Sequence, residues 1–83
     1  MLHTAQIKAA RSLLGWRQED LSQASGVGLA TIQRIEKSDG PASGNYSTVL
    51  KIQEAFERAG IQFIEEDDSG GIGVRIAKAK RKR

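Results

Sequence analysis

Cysteine is absent from all 83 residues, so neither a disulfide nor a thiolate metal site can support this chain. A single histidine, His3, stands near the N-terminus and cannot by itself build a zinc site or a histidine-based triad. Long apolar runs are missing too: none approaches the roughly 18 residues of a membrane span. No secretory signal pattern opens the chain, so the expected location is cytoplasmic. There is no nucleophile–base set and no phosphate-binding loop, because Gly70, Gly71 and Gly73 lack a following helix. The carboxylates at 65–68 are adjacent within a turn-forming stretch, a pattern of solvation rather than of paired acid–base catalysis. Enzymatic activity is therefore not expected, nor is a cofactor, a metal or a small-molecule ligand.

What the chain does have is an uneven charge. The net +3 hides three regions. Residues 1–60 carry seven Lys/Arg against six Asp/Glu. Residues 61–77 set Arg75 against Glu65, Glu66, Asp67 and Asp68. The last six residues, KAKRKR, hold five basic side chains and no acidic one. The folded body is thus close to neutral and the excess lies in a tail, so composition alone argues only weakly for nucleic acid. At this size one core yields only a few kcal/mol of net stability, and dimerisation is a natural way to enlarge it.

Periodicity places the elements. Residues 4–14, TAQIKAARSLL, predict a first helix with Ile7, Ala10 and Leu14 on one face, Thr4 as N-cap and Gly15 as the stop. Trp16 is expected to pack across the joint to the next helix. Helix 2 covers about 17–24 and helix 3 about 28–37. Residues 38–46, SDGPASGNY, form a loop rich in turn formers that holds the only proline, Pro41. A fourth helix over 46–59 has Asn45 as N-cap, Val49, Ile52, Phe56 and Ala59 at core spacing, and Gly60 as its stop. The period then changes. Ile61–Ile64 and Ile72–Ile76 alternate as two strands around EEDDSGG, a β-hairpin. A lone hairpin is marginal in water, so it must pack on the bundle, pair with another subunit, or do both. Pairing across a two-fold axis through Ile61, Phe63, Ile64, Ile72, Val74 and Ile76 is the favoured expectation, and packing on its own bundle the alternative. The expected architecture is mainly α, with a helical domain over 1–60, the hairpin over 61–77 as dimerisation element, and a disordered basic tail over 78–83.

The most informative stretch is Gln18 to Lys37, QEDLSQASGVGLATIQRIEK. Leu21 and Ala24 lie three apart on one helix, and Ile32 and Ile35 repeat that spacing on the next. Gly26 stands between them, where a tight turn between near-perpendicular helices needs positive φ. Val27 closes the corner from inside, and Ser22 is small enough for close helix approach. Such a unit presents its second helix as a rod able to enter a DNA major groove.

In QEDLSQASGV followed by TIQRIE the chain resembles the lambda-repressor-like, or XRE-type, helix-turn-helix regulators of bacteria and phages. The resemblance spans roughly residues 4–60 and implies a four-helix DNA-binding bundle. The hairpin departs from it, since the phage repressors usually carry a fifth helix there. In that family the start of helix 3 and the turn after it face base edges, which implies that role for Gly28, Leu29, Ala30, Gln33 and Arg34, with Thr31 beside them. Leu29 and Ala30 suit apolar contact with a thymine methyl, Gln33 suits adenine, and Arg34 suits guanine. The alternatives are a partly exposed packing role for Leu29, and a phosphate contact or a local ion pair for Arg34.

The resemblance also sets Gln18 against a phosphate, with helix capping as its alternative. Arg17 departs from the usual Ser or Thr cap and adds a potential phosphate contact. Lys37, Ser38, Asn45 and Tyr46 flank the loop expected beside the sugar–phosphate backbone, unless that loop is simply solvated. Arg11 and Glu36 correspond to an ion pair common in the superfamily, a clamp between helix 1 and the recognition helix.

These readings converge on a sequence-specific regulator that binds double-stranded DNA as a homodimer, two recognition helices about 34 Å apart meeting a roughly palindromic operator. Occupancy would act by occluding a promoter or by contacting RNA polymerase. The alternative is an antitoxin-like or adaptor protein that binds DNA and holds a partner protein through the hairpin. For the tail, one reading is a phosphate or minor-groove wrap, the other a solubilising end. Truncation after Ala77 separates them: the wrap requires a flatter dependence of DNA binding on salt, by roughly 0.9 in log–log slope for each phosphate no longer neutralised. An unchanged slope identifies the solubilising end.

Overall fold

A computed structural model describes residues 2–77. Four helices come first: α1 (Thr4–Leu14), α2 (Gln18–Ser25), α3 (Leu29–Lys37) and α4 (Tyr46–Arg58). Two strands follow, β1 (Ile61–Ile64) and β2 (Gly73–Ile76), paired antiparallel with Ile61 opposite Ile76 and Ile64 opposite Gly73. The expected mainly helical bundle with a hairpin is what forms. The tail expected to be disordered lies outside the described residues.

Local chemistry sets the helix ends. Gly15 and Gly26 stop α1 and α2 at φ of 68° and 75°, a left-handed conformation that side-chain-bearing residues rarely adopt. Asn45 caps α4 as expected, its Oδ1 accepting from the Thr48 N–H at 3.2 Å. At α1 the expected cap is corrected by one residue. His3, not Thr4, is the N-cap: its Nδ1 accepts from the Ala5 N–H at 3.0 Å, while its own N–H donates to Gln6 Oε1 at 2.9 Å. Thr4 is instead the first helical residue and is fully buried.

The core is one cluster. Ile7 and Ala10 of α1, Leu21 of α2, Ile32 and Ile35 of α3, and Val49, Ile52 and Phe56 of α4 are all buried. Leu14 and Ala24 are only partly buried but pack against the cluster. On α4 the apolar face differs from the expected one by a small rotation: Ala55 is buried and Ala59, at the C-cap, is exposed. Trp16 does bridge the α1–α2 joint, but its partner is on α4, where it stacks on Phe56 with ring centroids 5.6 Å apart. The corner of the helix-turn-helix is closed by Val27, 6% exposed, and tied by Ser22 Oγ donating to the Val27 carbonyl at 2.6 Å. The loop after α3 is anchored rather than free. The Thr4 N–H donates to the Gly40 carbonyl, and the Ala42 N–H to the Leu2 carbonyl at 2.8 Å. These bonds bury Leu2 and Ala42 in the core.

The hairpin packs on its own bundle. Ile61 is buried in the common core, Phe63 meets Phe56 edge-on with centroids 6.0 Å apart, and Val74 packs beside them. Ile64 is half-buried, and Ile72, expected to open β2, lies just before it and is exposed together with Ile76. At the far end the Ser69 hydroxyl donates to Asp67 Oδ1 at 2.8 Å, as do the N–H groups of Ser69 and Gly70, and these bonds, the hydroxyl's first, hold the Asp67 carboxyl below the usual range. One buried side chain joins the two parts of the fold. Gln6 uses Oε1 to complete the α1 cap and Nε2 to donate to the carbonyls of Ile64 and Gly73, at 3.3 and 3.0 Å.

Replacing Gln6 with Ala removes these bonds at once. Loss of about 1–3 kcal/mol is expected in urea unfolding. Faster amide exchange across β1 and β2 than across α2–α3 should accompany it; an unchanged midpoint would show that the hairpin is held by its apolar contacts alone.

Candidate nucleic-acid interface

The exposed side of α3 is determined by its buried side. Ile32, Ile35 and Glu36 turn inward, which leaves Ala30, Gln33, Arg34 and Lys37 exposed on the opposite face. Leu29 and Thr31 are half-buried at the first turn, and Gly28 is the exposed N-cap. The six residues expected at base edges therefore stand together at the start and outer face of one short helix. Arg34 forms no ion pair among the described residues, so its guanidinium is available to an external acceptor.

Behind this face lies a buried polar network. The Arg11 guanidinium donates from Nε to Glu36 Oε2 at 2.8 Å and from Nη2 to Oε1 at 2.7 Å, a bidentate pair. Its Nη1 donates to the Trp16 carbonyl at 3.1 Å. The Glu36 side chain is 5% exposed and that of Arg11 21%. The expected ion pair is present. It has a third member: Gln18 Nε2 donates to Glu36 Oε1 at 3.1 Å. Gln18 is thus no helix cap. Glu36 takes one of its two amide N–H groups, which leaves the second N–H as a donor and the amide oxygen as an acceptor. Gln18, Gln33, Glu36 and Lys37 line an open cleft of about 370 Å³, so the start of α2 and the outer side of α3 share one surface.

The phosphate candidates are placed as follows. Arg17 is exposed at the N-cap of α2, as expected without a side-chain cap. Its N–H is instead accepted by Asp20 Oδ2 at 2.8 Å, and its guanidinium pairs with the same carboxylate at 3.4 Å. The Arg17 N–H is the main cause holding the Asp20 carboxyl below the usual range. That support is present above the ordinary carboxylate pKa, about 4, and fades as pH falls through the lowered value. Lys37, Ser38, Asn45 and Tyr46 are all exposed, with Tyr46 at 71%. Ser38 Oγ donates to the Ile35 carbonyl and Asn45 Oδ1 accepts from Ser47 and Thr48, so these two are partly occupied locally.

A family model described as helix-turn-helix matches residues 7–59, well over half of the chain. The chain belongs to the lambda-repressor-like helix-turn-helix family. No curated protein matches it. As a member of that family it is a DNA-binding helix-turn-helix regulator. Among the described residues no helix is long and apolar enough to cross a membrane.

Two supports of this helix-turn-helix escape the sequence reading. Asp20 stands three residues after Arg17, the spacing of a reciprocal cap, and was legible on that ground. Arg58 of α4 donates to the Ala24 carbonyl at the end of α2, 3.1 Å away, and no local pattern announces so distant a contact.

Arg11→Ala leaves the buried Glu36 carboxylate without its main partner. A loss of about 3 kcal/mol is expected, the low end of the range for a broken buried pair because Arg11 keeps some solvent contact. The urea midpoint and DNA affinity should fall together. An unchanged midpoint with weaker binding would place Arg11 on the DNA.

Proposed function

We propose that the chain is a sequence-specific transcriptional regulator that acts as a homodimer on a roughly palindromic operator, with α3 in the major groove. The observation that carries this is the make-up of the α3 face. Its outward side chains differ in chemistry and are unpaired, whereas the charges behind them are paired and buried. The side chains of Leu29 and Ala30 are wholly apolar, suited to a thymine methyl. Gln33 and Arg34 follow one turn later with the donor patterns for adenine and guanine.

Gln18, Arg17, Lys37 and the loop residues Ser38, Asn45 and Tyr46 serve register by holding phosphates or sugars. Gln18 is the best prepared of these, since the Glu36 bond already limits its rotamer. The near-neutral body gives little non-specific attraction of its own, so affinity depends on base contacts more than in a strongly basic domain. Two copies on one duplex double the number of base contacts. Bound to a promoter, the dimer acts by occlusion or by touching polymerase.

Selection of duplexes from a random pool, at near-physiological salt, should enrich an inverted repeat with half-sites about one helical turn, roughly 34 Å, apart. Arg34→Ala should then cost about 1–3 kcal/mol and relax one position of each half-site, whereas Lys37→Ala should weaken all sequences alike. Binding without any enriched motif would defeat the reading.

A further inference from the structure

One side of the molecule is used neither by the core nor by the DNA face. The Ala77 N–H bonds the Gly60 carbonyl at 2.7 Å, which marks these two residues as a hydrogen-bonded pair. By antiparallel alternation Gln62–Arg75 and Ile64–Gly73 bond across the hairpin, and Val74 and Ile76 turn their N–H and C=O groups outward. Among the described residues nothing pairs with that edge of β2. Apolar surface accompanies it: Ile76 is 56% and Ile72 42% exposed. Beside them α1 presents exposed Ala5 and Ala9, and between α1 and β2 runs an apolar groove of about 180 Å³ lined by these alanines, Ile72 and Val74. An unpaired edge flanked by apolar side chains is a template for another strand.

Charge identifies the occupant. The hairpin bears the carboxylates of Glu65, Glu66, Asp67 and Asp68 at its turn, while KAKRKR follows β2 at the opposite end. In one chain the acidic run precedes β2 and the basic run follows it. Antiparallel pairing with a second β2 reverses the partner, and each basic run then leaves the sheet beside the other copy's acidic turn. Register follows from the same reasoning. Centring the two-fold axis on Arg75 would set two like charges directly opposite, which is destabilising. Centring it on Val74 sets Ile76 of one copy opposite Ile72 of the other, at the groove.

We propose that two copies of this chain pair through the β2 edges, antiparallel about Val74, each seating Ile76 in the α1–β2 groove of the other and laying KAKRKR against the other's acidic turn. The interface is isologous and closes after two copies. It rests on the dimer reading above and adds its face, its register and an electrostatic clamp. Ile61 and Phe63, committed to their own core, take no part in it.

Sedimentation of the full chain without DNA tests it. The unaltered protein should be a dimer. Ile76→Glu, at a site too exposed to unfold the monomer, should weaken the dimer about 30-fold or more, as an interface hot spot does. In the same comparison the Val74 amide should pass from slow to fast hydrogen exchange. Truncation after Ala77 should weaken the dimer about tenfold near 50 mM salt and have no effect near 1 M. A dimer indifferent to Ile76→Glu overturns this interface while leaving the dimer reading intact. A dimer indifferent to truncation at low salt removes the clamp and with it the argument for a second copy at this edge. A protein that stays monomeric at about 100 µM, a concentration at which even weak dimers form, overturns both readings.

Discussion

The buried carboxylate of Glu36 is the point on which the rest of this molecule turns. It lies on the inner side of α3, and three segments converge on it: α1 through Arg11, the α1–α2 joint through the Arg11 bond to the Trp16 carbonyl, and α2 through Gln18. A charge so enclosed is tolerable only when it is paired and each of its oxygens is hydrogen-bonded. Here the guanidinium fork and the Gln18 amide meet that demand, and no buried side-chain polar atom among the described residues is left unpartnered. The consequence is geometric. α3 cannot roll or slide without unpairing Glu36, so its angle to α1 and α2 is held by electrostatics as well as by Ile32 and Ile35.

A second, weaker constraint joins the hairpin to the bundle. Gln6 closes the cap of α1 and also bonds carbonyls on both strands, so the start of the first helix and the last element of the fold share one side chain. Around it the N-terminal residues pair with the loop at Gly40–Ala42, and Leu2 enters the core. A domain this small has little interior to spare. It recovers some by folding its N-terminal residues, the loop after α3 and its hairpin over the same cluster, with Phe56 touched by both Trp16 and Phe63.

Two surfaces of different chemistry stand apart, the outer face of α3 and the edge of β2. One offers chemically mixed side chains, Ala30, Gln33, Arg34 and Lys37, on a helix whose inner side is buried. The other offers unpaired backbone and exposed isoleucines, suited to a strand of the same kind. Both are carried by the same core cluster, α3 through Ile32 and Ile35 and β2 through Val74.

Much of this was legible in the order of residues, because the information is local. Apolar spacing marked α1 to α4, Gly15, Gly26 and Asn45 marked their ends, and alternation marked the hairpin. The pattern QEDLSQASGV with TIQRIE carried the family, and with it the pairing of Arg11 with Glu36. What the sequence could not decide was which of several suitable partners a side chain takes. His3 displaces Thr4 as cap because Gln6 is placed to complete a reciprocal pair. Gln18 bonds a carboxylate rather than capping its helix, and Trp16 stacks on a ring forty residues away in the chain. The hairpin's choice of its own bundle is of the same kind, since Ile61 and Phe63 could have faced another subunit. Such choices depend on distances between segments remote in sequence, and only the packed core brings those segments together.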